Sequence, residues 1–589
     1  MSSASTIPTP ATPDVCTWAL LVEGKDVSGD LHILSLAVGR ELNRIPTAKI
    51  QLEDGEASKS TFAISSSDRF VPGKKIEIKL GYRSQNDTVF KGLIVKQRIG
   101  IRKNGATLSV ECSGEVVKMT SANKFRYYIN KKDSDIMEEL LDAHGLSKDV
   151  QATTPSLKEV VQYDSTDWDF LLCRAEANGQ IVLVQDDKVK VAKPVTSGSA
   201  ALKMAYGSTV LELDAEIDSR LQNKGVKASC WSAPDQATVD ADATEPSLLS
   251  AGNLAASDLA KVLGDGTSEI KHAGHLDQPE LQSWADARLL RMRLAKIRGR
   301  ARCQGFAALL PGQIVEISGV GDRFAGQLYV SGVRHTVSGG NWETDVQFGI
   351  SPELFTETYN LRPLPAAGLL PVVSGLQMGI VTALENDPDS EFRIKCRLPL
   401  ISANDDGVWA RLATLDAGDG RGTFFRPEIN DEVVVGFLNE DPRYPVILGM
   451  CHSSAKAAPQ PAKDANNLKG YVSREKLKVT FDDDKKVITL ETPGGNKMSL
   501  TDDAKGIVLQ DQNGNKITLD DGGIKVESVK DITLKSSNDT KLSATNAEIS
   551  AQSSFKATGT STAEVSGGST TISGNSMASV KGPQVQIGP

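Results

Sequence analysis

Toward the end of the chain, apolar pairs separated by one residue recur every seven to ten positions: Ile488/Leu490, Met498/Leu500, Ile507/Leu509, Ile517/Leu519, Ile524/Val526, Ile532/Leu534, Leu542/Ala544 and Ile549/Ala551. Turn-forming runs lie between them, such as Pro493-Gly494-Gly495-Asn496, Asp511-Gln512-Asn513-Gly514 and Asp520-Asp521-Gly522-Gly523. Each short strand offers two inward apolar side chains, too few to close a globular core. Repetition at this period predicts a β-solenoid or an intertwined multi-chain β-helix. The intertwined form accounts for the missing large side chains: after Phe481 only Phe555 is aromatic, and no Cys, His, Trp or Tyr remains. Three chains on one axis leave a narrow triangular core that Ile, Leu, Val and Ala fill. Roughly a dozen strands stacked at ~4.8 Å make a shaft of order 60 Å, with every strand paired above and below and no lateral edge. The expected trimer core is Ile488, Leu490, Met498, Leu500, Ile507, Leu509, Ile517, Leu519, Ile524, Val526, Ile532 and Leu534. Beyond Ser550 only Lys556, Glu564 and Lys581 are ionic, which predicts a smooth tip.

A second pattern lies upstream. Pro72-Gly73-Lys74-Lys75-Ile76-Glu77-Ile78 and Pro311-Gly312-Gln313-Ile314-Val315-Glu316-Ile317 share the form PGxxΦEΦ, where Φ is aliphatic. Phe90-Lys91-Gly92 is echoed by Phe324-Ala325-Gly326, and alternating segments follow at Leu108 to Cys112 and Glu343 to Phe348. Period-two alternation over short runs means half-buried antiparallel strands. The repeat therefore predicts two similar β-barrels, about 16–130 and 200–364, within a region 16–364. A trimer would set six of them in a ring with pseudo-sixfold symmetry. Helices are expected over 135–143 (Ser134 as cap), over 167–177 and from near Pro279. A hairpin is expected over 181–191, and a loop or weak helical excursion over 232–267. Five strand candidates between Pro371 and Met450 fit an OB barrel at 371–452. Residues 1–15 read as a disordered lead, 453–470 as a linker and 471–589 as the β-helical shaft. The fold class is mainly β: duplicated barrels with a few helices, an OB barrel and a C-terminal intertwined trimeric β-helix.

The 589 residues suggest about four domains at ~150 residues each, and the net charge of -9 argues against a dedicated nucleic-acid binder. No stretch approaches the ~18 apolar residues of a membrane span. The Ser/Thr/Pro-rich start lacks the basic and apolar regions of a signal peptide, so synthesis in the cytoplasm is expected. Cys16, Cys112, Cys173, Cys230, Cys303, Cys396 and Cys451 are scattered and never form CxxC, which reads as buried free thiols. HExxH, GxSxG and the P-loop pattern are absent. His272 and His275 lack a third ligand nearby. Glu385, Asp387, Asp389 and Glu391 read as a solvated turn, and Asp482-Asp483-Asp484 lacks the alternating ligands of a calcium loop. The one basic patch is Arg288, Arg291, Arg293, Lys296, Arg298, Arg300 and Arg302. It has no interleaved aromatics to stack bases and is expected to meet acidic neighbours. Trp409, Phe424 and Phe425 are the only plausible stackers on the OB barrel. No catalytic residue, metal site or cofactor is expected.

Several of these residues together resemble the VgrG family and related spikes of contractile injection systems and phage tails. The resemblance rests on Tyr163-Asp164-Ser165-Thr166-Asp167-Trp168-Asp169-Phe170-Leu171 with Glu176-Ala177-Asn178-Gly179, and on Gly299-Arg300-Ala301-Arg302-Cys303 leading to Leu310-Pro311-Gly312. It rests also on Pro427-Glu428-Ile429-Asn430-Asp431-Glu432-Val433-Val434-Val435, on Asp441-Pro442-Arg443-Tyr444-Pro445-Val446-Ile447-Leu448-Gly449, and on the repetitive tail. Asn430 and Glu440 stand where glycines are usual. The resemblance implies a structural homotrimer, not an enzyme, that adapts a threefold needle to a sixfold inner tube. Its implied partners are the inner-tube protein, baseplate components, effector cargo and a PAAR-type tip protein at Val585, Ile587 and Pro589. Contact with the target envelope is mechanical, after delivery outside the cell or into the target. The ~20-residue linker leaves no room for a lysozyme-like insertion, and no effector domain is expected after the shaft. Two other readings stay open: an envelope-degrading enzyme acting on peptidoglycan, and a trimeric adhesin or tail fibre.

Overall fold

The computed structural model describes residues 5–6, 14–249 and 251–588. The chain is mainly β and divides into two compact units, Met1–Gly375 with Phe437–Tyr444, and Leu376–Gly436 with Pro445–Pro589.

The first unit is organised by a fourteen-stranded sheet. Its first repeat comprises β1 (Ile33–Glu41), β2 (Thr47–Glu53), β3 (Lys75–Tyr82), β4 (Gln85–Arg102) and β5 (Gly105–Ser113), in spatial order β1-β2-β5-β4-β3. Alternation sends Leu36, Val38, Ile50, Leu52, Ile76, Ile78, Leu108 and Val110 into one core. An α/β insertion follows: β6 (Asn123–Lys132), α1 (Asp133–Asp142), β7 (Ser156–Thr166) and α2 (Asp167–Ala177). The hydroxyl of Thr166 caps α2 by accepting from the Asp169 amide at 3.1 Å. Ser134, expected as the cap of the preceding helix, instead lies inside its first turn, where its amide donates to Thr153 Oγ1 at 3.1 Å.

The second repeat comprises β8 (Glu212–Ile217), β9 (Ile297–Gln304), β10 (Ile314–Ser318), β11 (Gly326–Ser338) and β12 (Asn341–Phe348), with α3 (Gln278–Leu294) before β9. The stretch 232–267, read as a loop or a weak helical excursion, holds the short helix Ala256–Ala260 and, unexpectedly, strand Ala237–Asp242. That strand joins Gly225–Ser232 and Thr267–His272 in a three-stranded sheet against α3, burying Ala228, Cys230, Leu281 and Ala285. In the lead, Ser5–Thr6 pairs in parallel with Leu202 and Lys203; residues 1–4 and 7–13 lie outside the described residues.

The two PGxxΦEΦ segments have the same backbone bonding. The Gly73 amide donates to the Ile94 carbonyl and the Gly312 amide to the Val330 carbonyl, both at 2.8 Å. Ile94 donates to Lys74 and Val330 to Gln313, both at 2.9 Å. Both glycines take positive φ, +97° and +89°, which favours glycine at each turn. The Phe-x-Gly echo, however, is out of register. Gly92 lies opposite Ile76, whereas Gly326 lies opposite Ile317, the counterpart of Ile78. Gly326 thus occupies the place of Phe90. The true echo is further on: an irregularity after Ile94 and after Val330, then hairpins closed at Arg102↔Gly105 and at Ser338↔Asn341.

In the second unit, β13 (Gln377–Ala383), β14 (Ile394–Arg397), β15 (Val408–Leu412), β16 (Glu432–Phe437) and β17 (Pro445–Met450) close a barrel in the order β13-β14-β15-β17-β16. After it come seven antiparallel strands in simple succession: β18 (Leu468–Val472), β19 (Lys478–Asp482), β20 (Val487–Glu491), β21 (Lys497–Thr501), β22 (Gly506–Gln510), β23 (Lys516–Asp520) and β24 (Gly523–Glu527). Over this stretch the ladder neighbours are strands of the same chain, because short turns return each strand beside the last. Ile532 and Leu534, expected in a further strand, lie beyond β24 in a segment without assigned strands.

Candidate functional site

The seven-strand ladder aligns its apolar residues directly across from one another. Ile488 opposes Leu500 and Leu490 opposes Met498; Leu500 opposes Ile507 and Met498 opposes Leu509. The columns continue through Ile507↔Leu519 and Leu509↔Ile517 to Leu519↔Ile524 and Ile517↔Val526. Val479 and Phe481 extend them on the other side, opposite Leu490 and Ile488. Directly opposed residues share a face, so one face is continuously apolar. The other carries mostly Lys, Thr, Ser, Asp, Glu and Gln at the intervening positions, with Val487 and Val508 among them. No second layer covers the apolar face among the described residues: Ile488, Leu490, Leu509, Ile517, Ile524 and Val526 are exposed, and Met498, Leu500, Ile507 and Leu519 are half-buried. Monomers seldom expose a contiguous apolar patch of this extent.

Beyond Glu527 the chain stays regular without pairing. Bends fall at 529–530, 537–538, 545, 552–553, 560–561, 568, 575–576 and 583, one every seven or eight residues. Between them the backbone forms no strand within the chain, and residues 531–588 are exposed throughout. Val585 and Ile587, expected at the tip, are exposed; Pro589 lies outside the described residues.

The other candidates turn inward. In the Tyr163–Leu171 motif, buried Asp167 accepts from His144 Nε2 at 2.8 Å and from Gln162 Nε2 at 3.0 Å, while Trp168, Phe170 and Leu171 enter the core. The six arginines of the basic stripe pair with carboxylates of the same chain. Arg291 meets Glu176 at 2.5 Å, Arg293 meets Glu245 at 2.7 Å and Arg298 meets Glu216 at 2.7 Å. Arg302 meets Asp345 at 2.9 Å, and Lys296 donates to the Ala251 and Leu254 carbonyls. In the acidic turn of the barrel, Arg393 hydrogen-bonds Asp387 and, with backbone amides, holds its carboxyl well below the usual carboxylate range. Asp387 organises the turn through the amides of Asp389, Glu391 and Arg393. No cluster of three metal-ligating side chains, and no helix long and apolar enough to cross a membrane, occurs among the described residues.

Burial pushes the Cys112 and Cys303 thiols up to about 12, and those of Cys16 and Cys396 up to about 11, so these four stay protonated and unreactive. Cys451 alone is exposed among the described residues. Maleimide at neutral pH is expected to add one label to the native chain and seven after denaturation, as read by intact mass.

His335 is the sensitive group of the first unit. Burial, with the neighbouring Arg40 charge, pushes its imidazole down to about 3, and its Nδ1 lies 3.0 Å from Thr344 Oγ1. An unfolded histidine titrates near 6.5, so the unfolded chain binds the extra proton between those values and stability falls as pH drops below ~6.5. At pH 5 the loss from this one group is about 2 kcal/mol. His335→Gln is expected to remove that part of the acid sensitivity, measured as the difference in urea midpoints at pH 7.5 and pH 5.

The fold defines a class: a mainly β protein in which a fourteen-stranded sheet is followed by a closed five-stranded barrel and a seven-stranded antiparallel ladder. Residues 12–339 match the Alg8 N-terminal domain, and the chain belongs to that family. Residues 377–452 match the Type VI secretion system/phage-baseplate injector OB domain. The chain is 27% identical over 183 residues to the Type VI secretion system spike protein VgrG1b of Pseudomonas aeruginosa, covering 29% of this chain and 24% of that protein. It is 28% identical over 127 residues to VgrG1c of the same organism, covering 20% and 17%. The chain thus spans a quarter or less of the length of these curated relatives. Among solved structures, the prophage MuSo2 43 kDa tail protein from Shewanella oneidensis aligns with a TM-score of 0.44 at 12% identity, over 57% of this chain and 98% of that one.

Proposed function

We propose that this chain is the structural spike and hub of a contractile injection machine, working as a homotrimer. The observation that carries the reading is the uncovered apolar ladder of β18–β24, continued by a periodic segment with no strand of its own. Three copies facing their ladders inward would bury that face, and their 531–588 segments would supply one another with the missing neighbours. The paired repeats of the first unit suit a hub that presents six barrels from three chains to a sixfold inner tube. The injector OB family match and the similarity to VgrG spike proteins support the same role. The work is mechanical: a rod of mutually paired strands transmits thrust from sheath to envelope and needs no reacting group. Baseplate and tail components are its partners on the hub side. Exposed Val585 and Ile587 provide an apolar seat for a PAAR-type tip protein, and cargo travels with the assembly.

Native mass spectrometry of the full chain tests the assembly. The expected species is three times the 62.9 kDa chain mass, with residues 531–588 resistant to trypsin. A folded monomer at micromolar concentration would overturn the reading.

A further inference from the structure

The repeats of the first unit meet asymmetrically. The distal half of β11 pairs with β1 of the other repeat, from Gly332↔Glu41 through His335↔Val38 to Ser338↔Ser35. Through this junction the second hairpin extends the sheet of the first repeat: Val337 and Trp342 sit in the core built by Leu36, Ile50 and Leu80, with the Trp342 ring 5.2 Å from that of Tyr82. The first hairpin has the same construction but no such partner. Among the described residues, β4 beyond Leu93 pairs only with β5, and β8 pairs only with β9.

The exposures differ accordingly. His335 and Val337, at the filled junction, are 3% and 6% exposed, whereas their counterparts Ile99 and Ile101 are 49% and 66% exposed. The core of the second barrel is correspondingly open, with Leu213, Ala215 and Ile217 of β8 only partly buried.

Internal equivalence sets the register of the missing contact. The shared bulge and turn align Ile94–Cys112 with Val330–Phe348, so Ile99 corresponds to His335 and Ile101 to Val337. Cys112 pairs with Ala48 and Ala48 with Val38; Phe348 pairs with Gly299 and Gly299 with Ala215. Val38 therefore corresponds to Ala215, and β1 to β8.

We propose that residues 96–102 of β4 form an antiparallel ladder with β8 of a second copy of this chain, so that the first hairpin of one copy completes the second barrel of the next. The transferred register places Ile99 opposite Ala215 and Ile101 opposite Leu213. It also sets Lys96 opposite Asp218, Arg98 opposite Glu216 and Arg102 opposite Glu212. Every charged residue of β4 in this stretch thus faces a carboxylate, a complementarity the alignment did not use. Arg98 and Arg102 make no ion pair among the described residues; Lys96 meets Glu111, and within the chain Glu216 meets Arg298, Glu212 meets Arg300 and Arg302, and Asp218 meets Arg220. Strand β8 would lie between two basic strands, with Arg298, Arg300 and Arg302 of β9 on its other side. Such a contact is head-to-tail and closes into a ring when the rotation permits. It deepens the assembly reading and rests on it.

The test is the full-length double variant Ile101→Cys with Leu213→Cys. Directly opposed residues of an antiparallel pair stand ~4.5–5.5 Å apart at Cα, within disulfide reach. On mild oxidation the expected result is two- and three-chain species on a non-reducing denaturing gel, reversed by reductant. Ile101→Cys with Ile217→Cys, four residues out of register, is expected to stay single-chain. A second measurement uses Arg98→Glu with Arg102→Glu, exposed positions that leave folding intact: amides 96–102 should exchange at least tenfold faster with deuterium than in the assembled wild type. A trimer by native mass spectrometry that neither cross-links nor protects these amides overturns the junction and leaves the trimer standing. A monomer overturns both.

Discussion

Leu500→Asp combined with Ile507→Asp is expected to convert the proposed trimer into a monomer. The two side chains oppose each other on adjacent strands of the ladder, near the middle of its apolar face. Burying a leucine or isoleucine contributes about 1.5–3 kcal/mol. Putting a carboxylate in its place adds a desolvation cost that no cation on that face offsets. In a trimer each substitution is repeated three times around the axis, with like charges converging. Loss of association by several orders of magnitude follows, read as a shift from three-chain to single-chain mass. Thr489→Asp with Ser499→Asp, on the polar face, serves as the control and should stay trimeric. If the apolar-face variant assembled as tightly as wild type, the inward-facing arrangement would be wrong.

The second large effect lies in the insertion that joins the two repeats. Arg174 of α2 binds Asp133, the first residue of α1, through two hydrogen bonds of 2.6 and 2.8 Å, and Asn178 adds a third at 2.8 Å. Asp133 is almost fully buried and Arg174 is four-fifths buried. Arg174→Met keeps much of the packing volume but leaves the Asp133 carboxylate without its cation. Breaking a buried pair from one side costs about 3–5 kcal/mol. Asn178 retains part of the bonding, so the expected loss is about 3 kcal/mol, visible as a melting temperature lower by several degrees. Asp133→Asn with Arg174→Met removes both charges and should recover part of it, because no uncompensated charge then remains buried.

Much of this architecture was legible before the fold was known. The five barrel strands were expected at 377–383, 391–398, 407–412, 431–438 and 444–450, and they occur there, trimmed at the ends. Helix 167–177 was readable with Gly179 as its stop; its Thr166 cap emerged only in the structure. The apolar positions of the shaft were readable because, in a strand, period two states which side chains share a face. It does not state whose strand lies alongside. Ile488 opposite Leu500 within one chain and Ile488 opposite another copy would leave the same mark on the sequence. The Phe-x-Gly echo misled for a related reason. Spacing along the chain does not record where a strand bulges, and the irregularities that align Ile94 with Val330 appear only in the hydrogen bonds.

The sequence by itself determined the five strands of the small barrel, helix Asp167–Ala177 and which side chains of each ladder strand share a face. All of these follow from local periodicity and residue chemistry. Only the tertiary structure decided the partners: that arginines of the basic stripe meet Glu176, Glu216, Glu245 and Asp345, that the seven ladder strands pair within one chain, and that among the described residues the first hairpin lacks the neighbour the second possesses. Ion pairing and strand pairing join residues far apart in the chain, and their free energy depends on distances that only folding establishes.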